Sequence, residues 1–214
     1  MGSDPPRFRV TASQADLAPP LPAKLAALRD GKEPVWVFAY GSLLWDDEFP
    51  YAAAEPALLR GYHRSFCIWS YDYRGAPGRP GLVLGLDRGG SCRGMAFRLP
   101  ADRLAETIER VWLREMSGRR VYEMKLLPVR AAGGLLNAAA FTVLRNCADY
   151  AGRLPLDEMA RIILGAVGRR GTCRDYFVST FRHLERLGFV DRPLRRLAQQ
   201  IEALAASQEP HGGF

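Results

Sequence analysis

The most informative segment of the chain is VWVFAYGSLLW, residues 35–45. It begins with five apolar residues in succession and reaches a glycine at position 41. A short unbroken apolar run that stops at a turn residue is typical of a buried strand. Glycine lets the backbone turn sharply and lets a ligand approach the neighbouring N–H groups, which can hold a carboxylate or an oxyanion. The segment therefore predicts a buried strand that ends either in a plain turn or in an anion-binding loop.

Predicted strands precede most of the predicted helices along the chain. The strands are expected at 58–70, 81–87, 92–99, 121–130 and 137–145, with a turn-rich loop at 74–81 and a hairpin turn at 89–94. The helices are expected at 21–31, 101–116, 155–168, 173–187 and 191–206. This order predicts the α+β fold class, with a mainly antiparallel sheet that can close on itself.

The length of 214 residues and the apolar content of 48% suit one domain with a sizeable core. We expect residues 1–34 to form a partly flexible N-terminal arm, with its first dozen residues loosely ordered. Residues 35–206 are predicted to form a single catalytic domain, and residues 207–214 a C-terminal tail.

Composition restricts the class of protein. The formal charge of +7 indicates either attraction to anions, such as nucleic acid or a small acidic substrate, or an arginine-rich surface. No zinc-finger spacing, RNP-like motif or basic zipper supports nucleic-acid binding. No apolar run is long enough to span a membrane, and the N-terminus has no apolar signal core. The scattered cysteines and histidines predict reduced thiols, a cytoplasmic location and no metal site.

The predicted helix at 101–116 carries a carboxylate on its apolar face. At about 100° per residue, one stripe of this helix contains Leu104, Ile108, Val111 and Glu115. Glu106 falls on the opposite side. A carboxylate on a core-facing stripe is costly unless it is paired or functional, and burial raises its pKa toward the range that a general acid/base needs. The pattern leaves two interpretations open: a catalytic Glu115, or a helix-end glutamate that leaves the stripe and meets a structural arginine such as its neighbour Arg114.

Nucleophilic catalysis by a protein side chain is not expected. Ser42 belongs neither to a Walker loop nor to a G-x-S-x-G turn. Cys67 follows His63 by four residues on a predicted strand, so the two share a face but lie too far apart for direct proton transfer.

Several blocks of the sequence, in this order, resemble the ChaC family of γ-glutamylcyclotransferases. The blocks are VWVFAYGSLLW (35–45), RGYHRSFCIWS (60–70), RGAPGRPGLVLGL (74–86), CRGMAFRLP (92–100), LREM (113–116) and NCADYAGRLPLDEMARII (146–163). Together they extend over most of the chain, from about residue 36 to about residue 187. Ala39 departs from the family pattern, because relatives often carry glycine at this position.

The resemblance implies a small barrel-like sheet flanked by helices and a reaction that converts glutathione to 5-oxoproline and cysteinylglycine. It implies no cofactor and no metal. The expected partner is therefore glutathione, with no nucleic acid and no membrane, and the chain is expected to act as a monomer. Two alternatives stay open: the same reaction on another γ-glutamyl amide or amino acid, and a non-catalytic module that binds an acidic metabolite.

The resemblance also implies roles for individual residues. Glu115 corresponds to the glutamate that the family uses for catalysis. The implied substrate-binding residues are Val37, Phe38, Ala39, Tyr40, Gly41, Ser42 and Leu43. Arg74 and Tyr150 are further candidates for substrate contacts. A binding module has no need for a buried base, so Glu115 together with the Tyr40-Gly41-Ser42-Leu43 loop favours the enzyme.

Overall fold

The structure is a computed structural model that describes residues 19–23, 27–28, 33–46, 49–116 and 120–208. The described residues form two compact units. The first unit contains residues 19–64 and 86–147, and the second contains residues 65–85 and 148–208. Three predicted features lie wholly or mostly outside the described residues: the first dozen residues, expected to be loosely ordered, most of the helix expected at 21–31, and residues 209–214 of the tail expected at 207–214. Residues 207 and 208 belong to the last helix. The division into an arm, one domain and a tail stays a prediction.

Most of the long strands come before most of the helices along the chain. The strands are β1 (Trp36–Ala39), β2 (Ala53–Ser70), β3 (Gly81–Arg98), β4 (Tyr122–Ala131), β5 (Gly134–Val143), β6 (Val167–Gly168) and β7 (Gly171–Thr172). The α-helices are α1 (Leu104–Met116), α2 (Leu156–Gly165), α3 (Cys173–Arg186) and α4 (Arg192–Gln208). Short 3₁₀ helices span Ser42–Trp45 and Ala101–Arg103.

Five strands close into a barrel in the order β1-β3-β2-β4-β5. β1 pairs antiparallel with β3, with Trp36 opposite Arg98, and parallel with β5, with Trp36 opposite Ala138. β4 and β5 form a long antiparallel hairpin. The α+β fold class with a mainly antiparallel, barrel-like sheet and flanking helices is thus confirmed.

The core of the first unit lies among the barrel strands. It combines large side chains with small ones, as a narrow barrel interior requires. Its largest buried side chains include Phe38, Leu59 and Leu86, and its alanines include Ala96, Ala138 and Ala140. β1 forms as predicted: three of its four residues are buried, and Phe38 lies in this core with Trp36 packed against it.

The second unit packs its three helices around its own apolar residues. Phe66 contacts Phe177 with ring centroids 5.4 Å apart. Ile163, Leu184 and Leu197 are all at most 1% exposed. Each of the three helices thus buries an apolar stripe, as their sequence periodicity predicts.

Two predicted features are wrong. The turn expected at 89–94 does not exist, because β3 runs without a break from Gly81 to Arg98 and joins the two predicted strands. Gly89 and Gly90 have φ values of 101° and 70°, so they bend the strand locally without reversing the chain. The helix expected at 155–168 ends at Gly165, and residues 167–168 instead pair with residues 171–172.

Among the described residues, no helix is long and apolar enough to cross a lipid bilayer.

Candidate active site

A short loop follows β1 and contains the first 3₁₀ helix, Ser42–Trp45. We call residues 40–46 the 40–46 loop. Its first turn is closed by the Leu44 amide, which donates to the Gly41 carbonyl over 2.9 Å. Gly41 is buried. The turn that the sequence predicts at Gly41 therefore lies between a buried strand and a 3₁₀ helix.

Two contacts hold the start of this loop. The Tyr40 hydroxyl donates to the Phe141 carbonyl of β5 over 2.9 Å. Arg64 is 3% exposed. Its guanidinium donates from Nε to the Tyr40 carbonyl over 2.5 Å. Arg64 also donates from Nη2 to the Arg93 carbonyl over 2.7 Å. Tyr40 is thus bonded through its hydroxyl to β5 and through its carbonyl to Arg64 of β2, which in turn binds β3.

Glu115 lies in the last turn of α1 and belongs to its largely buried face. Ile108 and Val111 on the same stripe are 2% and 3% exposed, and the Glu115 side chain is 19% exposed. Glu106, on the opposite side, is exposed. The stripe predicted from the sequence is confirmed, and it places the Glu115 carboxylate mostly out of solvent.

Arg114 joins Glu115 to the 40–46 loop. Its Nε donates to Glu115 Oε1 over 3.2 Å, and its Nη2 donates to Ser42 Oγ over 3.0 Å. Its Nη1 forms an ion pair with Asp46 Oδ2, in which both side chains are 8% exposed. One guanidinium therefore contacts the catalytic candidate, the predicted loop serine and the aspartate at the loop's end.

The surroundings of Glu115 act on its pKa in opposing directions. Burial of the carboxyl raises its pKa above 4.5 and is the largest effect. The Arg114 guanidinium lowers the pKa through its charge and hydrogen bond, and the Asp46 carboxylate raises it again. The net direction is upward, because desolvation disfavours the charged form. A carboxyl with a raised pKa is suited both to accept and to return a proton near neutral pH.

The sequence pattern predicts Arg114 only as a structural partner of Glu115 and predicts no role for Asp46. Glu115 meets Arg114, as one interpretation of the helix pattern predicts, but it does so without leaving the stripe. Its catalytic role stays a prediction. The available signal for Asp46 was weak, a carboxylate that directly follows the apolar loop.

The other predicted substrate-binding residues, three in β1 and one in the 40–46 loop, are buried. Val37, Phe38, Ala39 and Leu43 are between 1% and 6% exposed. Phe38 belongs to the barrel core. If these residues contact a substrate, their backbone groups are better placed to do so than their side chains. Their substrate contacts stay a prediction.

Arg74 and Tyr150 belong to the second unit. Arg74 Nη1 donates to the carbonyls of Arg170 and Thr172 over 2.6 Å and 3.3 Å, and its guanidinium lies 5.3 Å from the centroid of the Tyr176 ring. Tyr150 forms a β-bridge with Ile68. These contacts give both residues structural roles within their unit, and their part in substrate binding stays a prediction.

The remaining nucleophile and metal candidates have local partners. Ser42 Oγ faces the Arg114 guanidinium, and His63 Nδ1 lies 3.0 Å from the Gly89 carbonyl oxygen. All four cysteines have free thiols. Within the described ranges, no group of three or more histidine, cysteine, aspartate or glutamate side chains is arranged to hold a metal ion.

The chain is similar in sequence to a known protein family and to individual enzymes. Residues 35–204 match the model of a family described as ChaC-like protein. The chain is 33% identical over 191 residues to the glutathione-specific gamma-glutamylcyclotransferase of Escherichia coli K12, covering 89% of this chain and 82% of that protein. It is 34% identical over 170 residues to the glutathione-specific gamma-glutamylcyclotransferase of Schizosaccharomyces pombe, covering 69% of this chain and 79% of that protein.

Similarity in fold extends to a solved structure. A crystal structure of a yeast γ-glutamylcyclotransferase specific to glutathione superposes with a TM-score of 0.71 at 18% identity, covering 85% of this chain and 100% of that one. At this identity the similarity concerns the fold, and it agrees with the closed barrel described above.

Proposed function

Because the chain belongs to the ChaC-like family, we propose that it degrades glutathione to 5-oxoproline and cysteinylglycine, with Glu115 as the general acid/base. The observation that carries the proposal is the largely buried Glu115 carboxylate, joined through Arg114 to the 40–46 loop. Two curated relatives, 33% and 34% identical to this chain over the aligned residues, are named glutathione-specific γ-glutamylcyclotransferases. The class of enzyme is therefore a γ-glutamylcyclotransferase, a lyase of glutathione catabolism.

The reaction needs no protein nucleophile, because the γ-glutamyl amine of the substrate attacks its own γ-carbonyl. Folding the γ-glutamyl arm into a near-attack shape supplies an intramolecular advantage that can reach several kcal/mol, on the order of 7 or more in the best cases. The task of the protein is then to hold that shape and to move protons. This agrees with the contact of Ser42, whose Oγ accepts a hydrogen bond from the Arg114 guanidinium, a cation that cannot act as a base.

Proton transfer is the role that we assign to Glu115. At neutral pH the substrate amine is mostly an ammonium, which cannot attack. The Glu115 carboxylate accepts a proton from it, and the free amine forms the new C–N bond of the five-membered ring. The protonated Glu115 then donates to the departing nitrogen as the old C–N bond breaks. The attacking nitrogen carries three hydrogens as the ammonium and keeps one as the N–H of 5-oxoproline. Glu115 passes the first of the two lost protons to the departing nitrogen, and the second is also taken up by the released amine, which becomes the ammonium of cysteinylglycine. The reaction is thus balanced without a cofactor.

Backbone amides of the 40–46 loop are the proposed binding groups for the substrate's α-carboxylate or for the oxyanion that develops on its γ-carbonyl. The support is their position, after a buried strand and beside the Arg114 guanidinium that contacts Ser42. The positive charge of the chain, +7 overall, favours capture of an anionic substrate such as glutathione. Arg74 and Tyr150 remain secondary candidates for substrate contacts.

We also propose that the protein acts as a cytoplasmic monomer that binds neither nucleic acid nor membrane. The free state of all four cysteines supports a reducing compartment. A charge of +7 on its own is the only feature that favours nucleic acid.

The experiment that tests the proposed function measures 5-oxoproline after incubation of the purified protein with reduced glutathione and a panel of γ-glutamyl compounds. We expect glutathione to be cleaved better than γ-glutamyl-alanine and other γ-glutamyl amino acids. Turnover of γ-glutamyl-alanine without turnover of glutathione would assign the same reaction to another substrate. Release of 5-oxoproline from none of the compounds would leave only an acidic-metabolite-binding module.

A further inference from the structure

We infer that Arg114 is a positioning residue, whose guanidinium holds the 40–46 loop and the Glu115 carboxylate in one fixed arrangement. The inference rests on the proposed function, because it assigns to Arg114 a part in the reaction of the same site. Arg114 then connects the 40–46 loop to Glu115, the proposed proton-transfer group.

The geometry places three partners on the three nitrogens of one side chain. Nε contacts Glu115 Oε1 at 3.2 Å, Nη2 contacts Ser42 Oγ at 3.0 Å, and Nη1 contacts Asp46 Oδ2. Ser42 and Asp46 are the first and the last polar side chains of the segment 42–46. Because the guanidinium is planar and rigid, its three nitrogens fix the positions of these partners relative to one another.

The contact also sets the orientation of the carboxylate. Only Oε1 of Glu115 accepts the described hydrogen bond from Arg114. An anchored Oε1 restricts rotation of the carboxylate about its terminal torsion, which is otherwise broad. Oε2 is then the oxygen whose position we assign to proton exchange with the substrate amine.

Arginine suits this role better than lysine. A lysine ammonium is a compact charge on a flexible stem, so it can replace the charge of Arg114 but cannot hold three partners in a fixed plane. The Arg114 side chain is only 8% exposed, so water does not readily replace the lost contacts. An Arg114→Lys variant therefore separates the geometry of the guanidinium from its charge.

Charge provides a second, independent signature. Among the residues that the structure describes, Arg114 on the same helix and Asp46 on the facing loop act on the Glu115 carboxyl, and they act in opposite directions. Replacing Asp46 by asparagine removes the negative charge and keeps an oxygen that can accept from Arg114. The Glu115 carboxyl then loses an unfavourable charge, so its pKa falls. The shift is expected only if the Asp46 carboxylate is held within electrostatic range of the Glu115 carboxyl, as the contacts of Arg114 with both side chains place it.

The test uses Arg114→Lys, Asp46→Asn and a control, Arg103→Lys, in the full chain. Arg103 is the last residue of the 3₁₀ helix that precedes α1, and its side chain is 59% exposed. Three quantities are measured for each folded variant: kcat and KM for glutathione across pH, the titration of the Glu115 side-chain carboxyl by ¹³C NMR, and hydrogen exchange of the Leu44 amide in the 40–46 loop.

For Arg114→Lys we expect kcat to fall about 100-fold, the effect of a misplacement of about 1 Å, with KM changed less than kcat. The Leu44 amide should exchange faster. For Asp46→Asn we expect the acid limb of the kcat/KM profile and the NMR titration of Glu115 to move to lower pH. Arg103→Lys should match the wild type in all three measurements.

The inference is overturned if Arg114→Lys keeps the wild-type kcat and Leu44 exchange, or if Asp46→Asn leaves the Glu115 titration unchanged or raises it. If Arg114→Lys does not fold, Ser42→Ala takes its place, because it removes only the oxygen that accepts from Arg114 Nη2; wild-type exchange of the Leu44 amide in that variant overturns the inference. If the wild type turns over no γ-glutamyl compound, the proposed function fails, whereas the NMR and exchange measurements still decide whether Arg114 positions the carboxylate and the loop.

Discussion

Gly94 in β3 offers a direct perturbation of the backbone that leads into the 40–46 loop. An alanine Cβ at this position would lie 2.3 Å from the Ala39 carbonyl oxygen and 2.8 Å from Cζ of the Phe38 ring. β3 pairs with β1 at this level, where Ala39 lies opposite Met95. The nearest atom belongs to the backbone, so it cannot move aside like the end of a flexible side chain. Gly94→Ala must therefore displace the end of β1.

The size of the effect follows from these distances. Ordinary van der Waals contact begins at 3.4 Å, so the Ala39 carbonyl has to retreat by about 1 Å to relieve the contact. Forcing extra volume into a packed core costs about 1–3 kcal/mol of unfolding free energy. A shift of about 1 Å in a substrate-positioning segment lowers turnover by about 100-fold. We expect Gly94→Ala to show both losses.

The assay combines urea unfolding with release of 5-oxoproline from glutathione. Gly133→Ala is the matched control, because a Cβ there meets no atom within 4 Å, and its unfolding free energy should change by no more than about 0.5 kcal/mol. A Gly94→Ala variant as stable and as active as the wild type would refute the reasoning that the packing of β3 against β1 positions the loop.

Three further predictions concern the same site. Activity should survive a chelator, and Cys67→Ala should keep most of it at some cost in stability, because Cys67 is 1% exposed and its removal leaves a small cavity; loss of activity with chelator that zinc restores would contradict this. Gly41→Val should lower turnover strongly while circular dichroism shows an intact fold, because Gly41 is buried at the loop's turn; unchanged kinetics would make the loop a plain turn. Burial raises the pKa of Glu115 above 4.5, so its contribution to stability is full below pH 4.5 and is lost as pH rises through the folded-state pKa. The stability of Glu115→Gln relative to the wild type, measured by urea unfolding, should therefore increase over that pH range, and a constant difference would show that the carboxyl is not desolvated.

Local periodicity was sufficient to predict the parts of the fold that rest on burial. β1 appears where five apolar residues precede Gly41, and α1 buries Ile108 and Val111 on the stripe that also carries Glu115. In both cases the pattern of a few neighbouring residues determines which face turns inward.

The errors arise where one local pattern fits two conformations. Adjacent glycines, as at Gly89 and Gly90, suit a hairpin turn and equally a bent continuous strand, and only pairing with distant strands decides between them. The end of α2 shows the same limit. Gly168 is needed beside Tyr73, where a Cβ would lie 2.5 Å from the Tyr73 carbonyl oxygen, and this constraint comes from a segment almost a hundred residues away in the sequence.

The site itself was only partly predictable for the same reason. Glu115 and the Tyr40-Gly41-Ser42-Leu43 loop are visible as motifs. The guanidinium that joins them is not, because Arg114 meets Asp46 and Ser42 across 68 and 72 residues of sequence. An arginine beside a glutamate on a helix indicates no particular distant partner until the barrel brings the loop to the end of α1.

The central claim, that Glu115 transfers the proton, is tested most directly by comparing Glu115→Gln with Glu106→Gln. Glutamine nearly preserves the shape and hydrogen-bonding reach of glutamate but cannot exchange a proton. Glu106 lies on the exposed side of the same helix, so it is a matched control. The measurement is the rate of 5-oxoproline release from glutathione by both folded variants. The account predicts a fall of at least about 100-fold for Glu115→Gln and wild-type turnover for Glu106→Gln. Turnover abolished in Glu106→Gln and retained in Glu115→Gln would contradict it.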